Sequence, residues 1–358
     1  SMYVDHVAAY DPATQFAGDW YVSDVTQGVD PNALDAGDEV VFRKVNARLI
    51  ASACASGEAT FQRHGLTFDL VHSHMSFEGS VGVRLAQEHS VPSVCTIHDQ
   101  ESALRRRIAD AQPHMLRAWR ETDRVICVNP FNIDELAEVA GRRDHFVYIP
   151  NGFDASKVPQ ESKQQLRGEL DLPQDRPVMI AVARWDPRKD PLILLDALHR
   201  LIASGQDPRP LLVMIGENTM GEQVRQRIER HKLRRDVRMV GVVPPERVMA
   251  YMRAGDMTVL DSHAEGNPTV MFESLGCGRP YIGSDVGGAR TILTDPRLGR
   301  LVPPKDPDAL VGALSEALAT EWDEQFIQSF GRQYTWDAIA EQTYEKVYRP
   351  LLEASARS

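Results

Sequence analysis

The residues best suited to chemistry lie between Asp261 and Arg290, in DSHAEGNPTVMFESLGCGRPYIGSDVGGAR. An apolar run, Met257 to Leu260, reads as a strand, and a Gly-Asn-Pro turn leads from it into a short helix expected over Pro268 to Gly276. Pro268 suits the first helical position, because its φ is already helical and its missing N–H is not needed there. The amides of Asn267, Thr269 and Val270 then point out of the helix start with no partner inside it. Amides at the positive end of a helix dipole form an anion site, and phosphate is its usual occupant. Glu265 stands just before Gly266 in the turn, and Glu273 lies one turn into the helix. Ionised carboxylates accept hydrogen bonds from vicinal hydroxyls such as those of a ribose or a pyranose. Phosphate in the middle with diols on both sides describes a nucleotide-sugar.

Cations and a histidine at other strand ends extend this set. The strand PVMIAVAR (177–184) ends on Arg184, and Lys189 follows in RWDPRKDP. Ligands of open α/β sheets bind at the carboxyl ends of strands, so both cations stand on the edge where an anion would arrive. His98 closes the strand PSVCTIH at such an edge, with Asp99, a candidate for contact with an acceptor, beside it. His72 and His74 alternate on FDLVHSH and share a face. A metal pair is one reading of them, but no third ligand stands at useful spacing, and a structural role is favoured. Gly216 ends PLLVMIGEN, and Val242 and Val243 end VRMVGVV. Backbone groups there could meet the edge of a uracil or a guanine. Gly287 and Gly288 open a further helix and are expected to approach the sugar or phosphate closely.

Glu-x7-Glu inside EGNPTVMFESLGCGRP, followed by SDVGG, resembles the donor-site signature of the retaining glycosyltransferases of family 4, group 1. The resemblance implies two Rossmann-like α/β domains facing a cleft, the GT-B architecture. It implies that Arg184 and Lys189 hold the donor diphosphate and stabilise the charge that develops as it leaves. By the same resemblance Glu265 fixes the sugar hydroxyls, Glu273 the ribose, and His98 the donor sugar, without acting as a nucleophile. Relatives often carry a glutamate three residues after the glycine pair, where this chain has Thr291. No carboxylate of the first domain is spaced as a double-displacement nucleophile. Retention by front-face attack is therefore expected, with the departing phosphate accepting the acceptor's proton. Fixed cations do here what a divalent ion does elsewhere, so neither a cofactor nor a metal is expected.

The elements that must position these groups alternate along the chain. Apolar strands are expected over 3–10, 68–74, 92–99, 124–129 and 145–154, with helices over 39–64, 79–89, 102–119 and 130–140 between them. The second half repeats the rhythm, with strands over 177–184, 210–218, 237–243, 257–262 and 280–285 and helices over 191–204 and 221–232. LVPPKDPDAL (301–310) starts another helix, and 336–354 forms the last. Such alternation implies parallel sheets covered on both faces. The expected division is an acceptor domain over 1–155, with 332–358 crossing back to it, and a donor domain over 156–331. Relatives open with a strand, a Gly-rich turn and a helix. YVDHVAAY has no glycine pair after it, so the first domain is expected to lack its opening strand–helix units or to carry them in unrecognisable form; if they are absent, the fragment is incomplete or another chain supplies them.

Composition bounds the rest. A chain of 358 residues favours two cores over one. With 51 Asp and Glu against 40 Lys and Arg, a net charge of −11 disfavours nucleic acid as a partner. The four cysteines form no Cys-x-x-Cys pair and sit in apolar or helical runs. Reduced, buried thiols and a cytoplasmic location follow, with peripheral attachment to a membrane left open. No signal peptide is recognised, and no apolar run reaches the roughly 18–20 residues of a membrane span. The expected partners are a nucleoside diphosphate sugar, UDP-hexose first, and an acceptor that is a saccharide, a natural product or a lipid-linked sugar. Two rival readings stand: a non-catalytic or split partner subunit with a donor-type site, and a nucleotide-sugar epimerase of the same fold.

Overall fold

The computed structural model describes residues 67–357 except 75 and 110–112, together with isolated positions between 54 and 63. The strand expected over 3–10, the stretch where the opening strand–helix units were expected to be lacking or unrecognisable, and nearly all of the helix expected over 39–64 lie outside the described residues. The chain forms two compact units, Ser1–Ile149 with Glu341–Ser358, and Pro150–Ala340.

The first unit carries a four-stranded parallel sheet of β1 (Val71–His74), β2 (Ser93–Ile97), β3 (Arg124–Cys127) and β4 (Phe146–Tyr148), in that order. Every residue of β2 is buried, as a central strand covered on both faces requires. The helix expected over 102–119 is two helices, Glu101–Ala109 and Pro113–Glu121. Pro113 begins the second, where a missing N–H breaks no bond. The last helical stretch runs through Trp336–Thr343, a π turn over Tyr344–Tyr348, and Arg349–Ser355. The π turn falls just before Pro350, which has no N–H to give to the preceding turn.

The second unit carries a six-stranded parallel sheet of β5 (Val178–Val182), β6 (Leu211–Ile215), β7 (Val237–Gly241), β8 (Met257–Leu260), β9 (Tyr281–Ser284) and β10 (Gly299–Val302). Their spatial order is β10-β9-β8-β5-β6-β7. Alternate residues of the central strands feed opposite cores. Val178, Ile180, Leu211, Val213 and Ile215 pack on one face, and Met179, Ala181, Leu212 and Met214 on the other. β10 was not expected: Leu301 and Val302 end an edge strand, and the next helix starts only at Pro307, capped by Asp306. Helices Lys163–Glu169, Pro245–Ala254 and Glu324–Gly331 complete the covering layers.

The amino ends of the strands are clipped together by Asp256. Its Oδ2 accepts from Val178 N at 2.7 Å and from Arg167 Nη2 at 2.6 Å, and its Oδ1 from Lys163 Nζ at 3.1 Å. Burial pushes this carboxyl upward, but the Val178 amide, Arg167 and Lys163 together hold it below its ordinary pKa. The opposite, carboxyl edge is left for a ligand.

Candidate functional site

Strand order locates the site. From β5 the chain winds outward through β6 and β7, then returns to lay β8 on the other flank of β5 and continues to β9 and β10. The loops leaving β5 and β8 therefore start side by side and part to opposite faces, which opens a crevice at the carboxyl edge. These are the loops that hold Arg184, Lys189 and the Glu265 turn.

The loop after β5 is tied on both sides. Its strand ends at Val182, two residues before Arg184. Trp185 is fully buried; its amide donates to Glu217 O at 2.7 Å, and its carbonyl accepts from Thr219 N at 3.0 Å. Asp186 Oδ1 accepts from the amides of Arg188 at 2.9 Å and Lys189 at 3.2 Å. Asp190 caps helix Pro191–Ala203 by accepting from Ile193 N at 3.2 Å, and its other oxygen pairs with His263 Nε2 at 2.7 Å. His263 N donates to Arg188 O at 2.8 Å. Between these ties Lys189 Nζ forms an ion pair with Glu265, and the two side chains are only 14% and 9% exposed.

The turn after β8 is backed by glycine. Gly287 has φ +55°, and a Cβ on it would lie 2.3 Å from the carbonyl oxygens of both Glu265 and Gly266. Gly288 N donates to Gly266 O at 2.9 Å. The glycine pair thus backs the turn. Asn151 Nδ2 donates to Asn267 O at 2.9 Å from the other direction. Pro268 has ψ 108°, which makes it the cap; the first helical residue is Thr269, not Pro268 as expected. The first-turn amides of Thr269 and Val270 have no acceptor within helix Thr269–Gly276. Glu273 lies further along this helix, where burial raises its pKa and Lys157 partly offsets the rise.

Lys189 and Glu265 thus come together beside the helix start, whereas Arg184 pairs with Glu217. Its guanidinium Nε is 3.4 Å from Glu217 Oε2, with 67% and 61% of the two side chains exposed. Among the described residues no hydrogen bond or ion pair links Arg184 to Glu265. Gly216, at the end of β6, has φ +117° and donates its amide to Gly241 O at 2.8 Å. A Cβ there would lie 2.0 Å from Ala183 O, so the position excludes any side chain. Val243 is partly buried against the core, whereas Val242 is 76% exposed.

In the first unit His98 follows β2 directly, and its Nε2 is 3.0 Å from His74 Nδ1. His72 bonds Thr96 Oγ1 through Nε2 at 2.8 Å and Tyr348 Oη through Nδ1 at 2.5 Å. Both of its nitrogens are thus engaged, which is the structural role favoured over a metal pair. Burial, aided by the charge of His74, pushes His72 down to about 3 and His98 to about 4. Both rings are neutral at ordinary pH. Asp99 is buried, and its carbonyl accepts from Asn132 Nδ2 at 2.8 Å.

Asn151, Asp186, Asp190 and His263 were not singled out from sequence. The Asp-Pro of KDP was the available signal for Asp190, since Asp caps a helix that Pro begins, whereas Asp186-Pro187 opens a turn. His263 and Asn151 act across long sequence separations, which no local pattern reports. The four cysteines are buried, and none is joined in a disulfide. Among the described residues no helix is long and apolar enough to cross a membrane.

The family described as glycosyl transferases group 1 matches residues 162–333, and glycosyltransferase family 4 matches residues 25–157. The D-inositol 3-phosphate glycosyltransferase 2 of Catenulispora acidiphila is 27% identical over 92% of this chain and 85% of its own length. The glycogen synthase of Mycobacterium tuberculosis is 26% identical over 88% of this chain and 83% of its own. Sucrose-phosphate synthase from Thermosynechococcus elongatus superposes with a TM-score of 0.70 at 23% identity, covering 91% of this chain and 82% of that one. The Anabaena protein HepE, in complex with UDP-glucose, superposes with a TM-score of 0.68 at 22% identity, covering 84% of this chain and 82% of that one.

Proposed function

The chain belongs to the glycosyl transferases of group 1, and from that premise we propose that it draws its sugar from a nucleoside diphosphate donor and transfers it with retention at the anomeric carbon. The observation that carries this is the pairing of Lys189 with Glu265 beside the start of helix Thr269–Gly276. A cation, two first-turn amides and a carboxylate in one crevice suit a diphosphate whose sugar hydroxyls need an acceptor. UDP-hexose is the first donor to try, because HepE, of similar fold, is seen with UDP-glucose.

In this reading the bond between the anomeric carbon and the diphosphate oxygen breaks as the acceptor oxygen approaches on the same face. The diphosphate keeps the bonding electron pair and takes the acceptor's proton. Lys189 and the amides of Thr269 and Val270 stabilise the added charge. On leaving Glu265 for the phosphate, Lys189 frees that carboxylate for the sugar. Glu273 serves the ribose, and Gly216 with Val243 offers backbone to the base. Arg184 reaches the diphosphate by giving up Glu217, which its exposure makes cheap. The contact of His98 with the donor sugar, and transfer without a divalent ion, come from the family resemblance.

A thermal-shift panel of UDP, GDP and their sugars tests donor choice. NMR of the product anomer, with D-inositol 3-phosphate among the acceptors, tests retention. Donor hydrolysis that leaves the inverted anomer in every product removes the front-face route. Failure of every nucleoside diphosphate to raise the melting temperature removes the donor assignment.

A further inference from the structure

Three histidines of the first unit, His72, His74 and His98, form an ordered row. The rings of His72 and His74 lie 4.7 Å apart with planes 18° from parallel, and those of His74 and His98 lie 5.3 Å apart, again at 18°. His72, at the inner end, is locked by Thr96 and Tyr348. His74 lies against that locked ring on one side, and at its edge it is hydrogen-bonded through Nδ1 to His98 Nε2 at 3.0 Å.

A neutral imidazole carries one N–H and one bare nitrogen. With both rings neutral, one proton lies between His74 Nδ1 and His98 Nε2, and its owner decides the remaining nitrogen of His98. If His98 Nε2 donates, His98 Nδ1 is bare and accepts from a hydroxyl. If His74 Nδ1 donates, His98 Nδ1 carries the proton and donates. His74 therefore governs both the plane of the His98 ring and the character of the atom His98 has left to offer.

We propose that His74 is a positioning residue for His98, holding its ring plane and selecting a single tautomer at Nδ1. The proposal rests on the reading that His98 serves the donor sugar. Partners behind a metal-bound histidine typically matter about 10- to 100-fold, and the same scale is expected for a histidine that holds a sugar.

The test uses the whole chain with His74→Phe, which keeps a flat ring in the stack but removes the nitrogen, and His74→Asn, which returns an amide near the Nδ1 position. We expect His74→Phe to lower kcat by about 10- to 100-fold with donor KM changed far less, and His74→Asn to recover most of the loss. Long-range proton–nitrogen NMR of histidine-labelled protein, with His98 assigned by its loss in His98→Ala, is expected to show one His98 tautomer in the parent and a mixture in His74→Phe. An inactive His98→Ala beside a fully active His74→Phe, or an unchanged His98 tautomer in His74→Phe, overturns the proposal. An active His98→Ala overturns the reading beneath it.

Discussion

Gly287→Ala puts the geometry of the Glu265 turn to a quantitative test. Two costs arise at once. Alanine in the left-handed region, at φ +55°, costs about 1–2 kcal/mol. In addition, the new Cβ would stand 2.3 Å from the carbonyl oxygens of Glu265 and Gly266. That is roughly 1 Å inside an ordinary contact, so the turn must withdraw by about that much. A displacement of this size in a reacting arrangement costs about 100-fold in rate, or about 2.8 kcal/mol of transition-state stabilisation. Gly205→Ala separates the two costs, because Gly205 has φ +94° in the same unit but nothing within 4 Å of its added Cβ. Both variants are measured by thermal melting and by kcat/KM for the donor. Gly205→Ala should lower the melting temperature by about 2–8 °C with kcat/KM unchanged. Gly287→Ala should melt lower still and lose about two orders of magnitude in kcat/KM. A Gly287→Ala enzyme within about twofold of the parent, melting no lower than Gly205→Ala, would show that the glycine does not brace the turn.

Lys189→Ala should lower kcat by about 100- to 1,000-fold while raising the nucleotide Kd far less, since its charge matters most as the diphosphate departs; single-turnover kinetics with calorimetric titration separates the two. Glu273→Gln should weaken nucleotide binding by about 10- to 100-fold yet raise the melting temperature at neutral pH. The sign follows from the raised pKa of Glu273, which burial causes. The folded state disfavours the ionised form, so the neutral amide gains stability above the ordinary carboxyl pKa near 4 and gains none below it. Asp256→Ala should cost about 3–5 kcal/mol by leaving Arg167, itself only 6% exposed, without its partner. In the parent the charge-dependent part of this contribution is complete above about pH 4 and is lost as pH falls through the lowered Asp256 pKa, so the difference between acid melts of parent and variant should narrow.

The elements that sequence made legible are those with local causes. Continuous apolar runs announced β5, β6 and β8, because a strand buried on both faces has no polar side to show. Gly-Asn-Pro marked the start of helix Thr269–Gly276 to within one residue; the error, Pro268 as first helical residue, turns on a single ψ angle. β10 was missed because Leu301 and Val302 are followed at once by two prolines, which read as the approach to a helix. In the site, Lys189 and Glu265 carried recognisable patterns, but their contact spans 76 residues and is a product of strand order. The pairing of Arg184 with Glu217 was equally invisible, since it depends on which strand lies beside β5. The opening of the chain, which carries no recognisable Gly-rich turn in its sequence, lies outside the described residues.

The return of the chain to set β8 against β5 has a consequence for assembly. β5, β6 and β7 can zip together as neighbours in sequence, yet they supply only half of the pocket. The other half arrives after a long excursion, when β8 docks on the vacant flank of the first strand laid down. Such distant closures are slow compared with local pairing. During refolding, recovery of nucleotide affinity should therefore trail the return of helical signal, and the lag between them times the moment at which the sheet is completed.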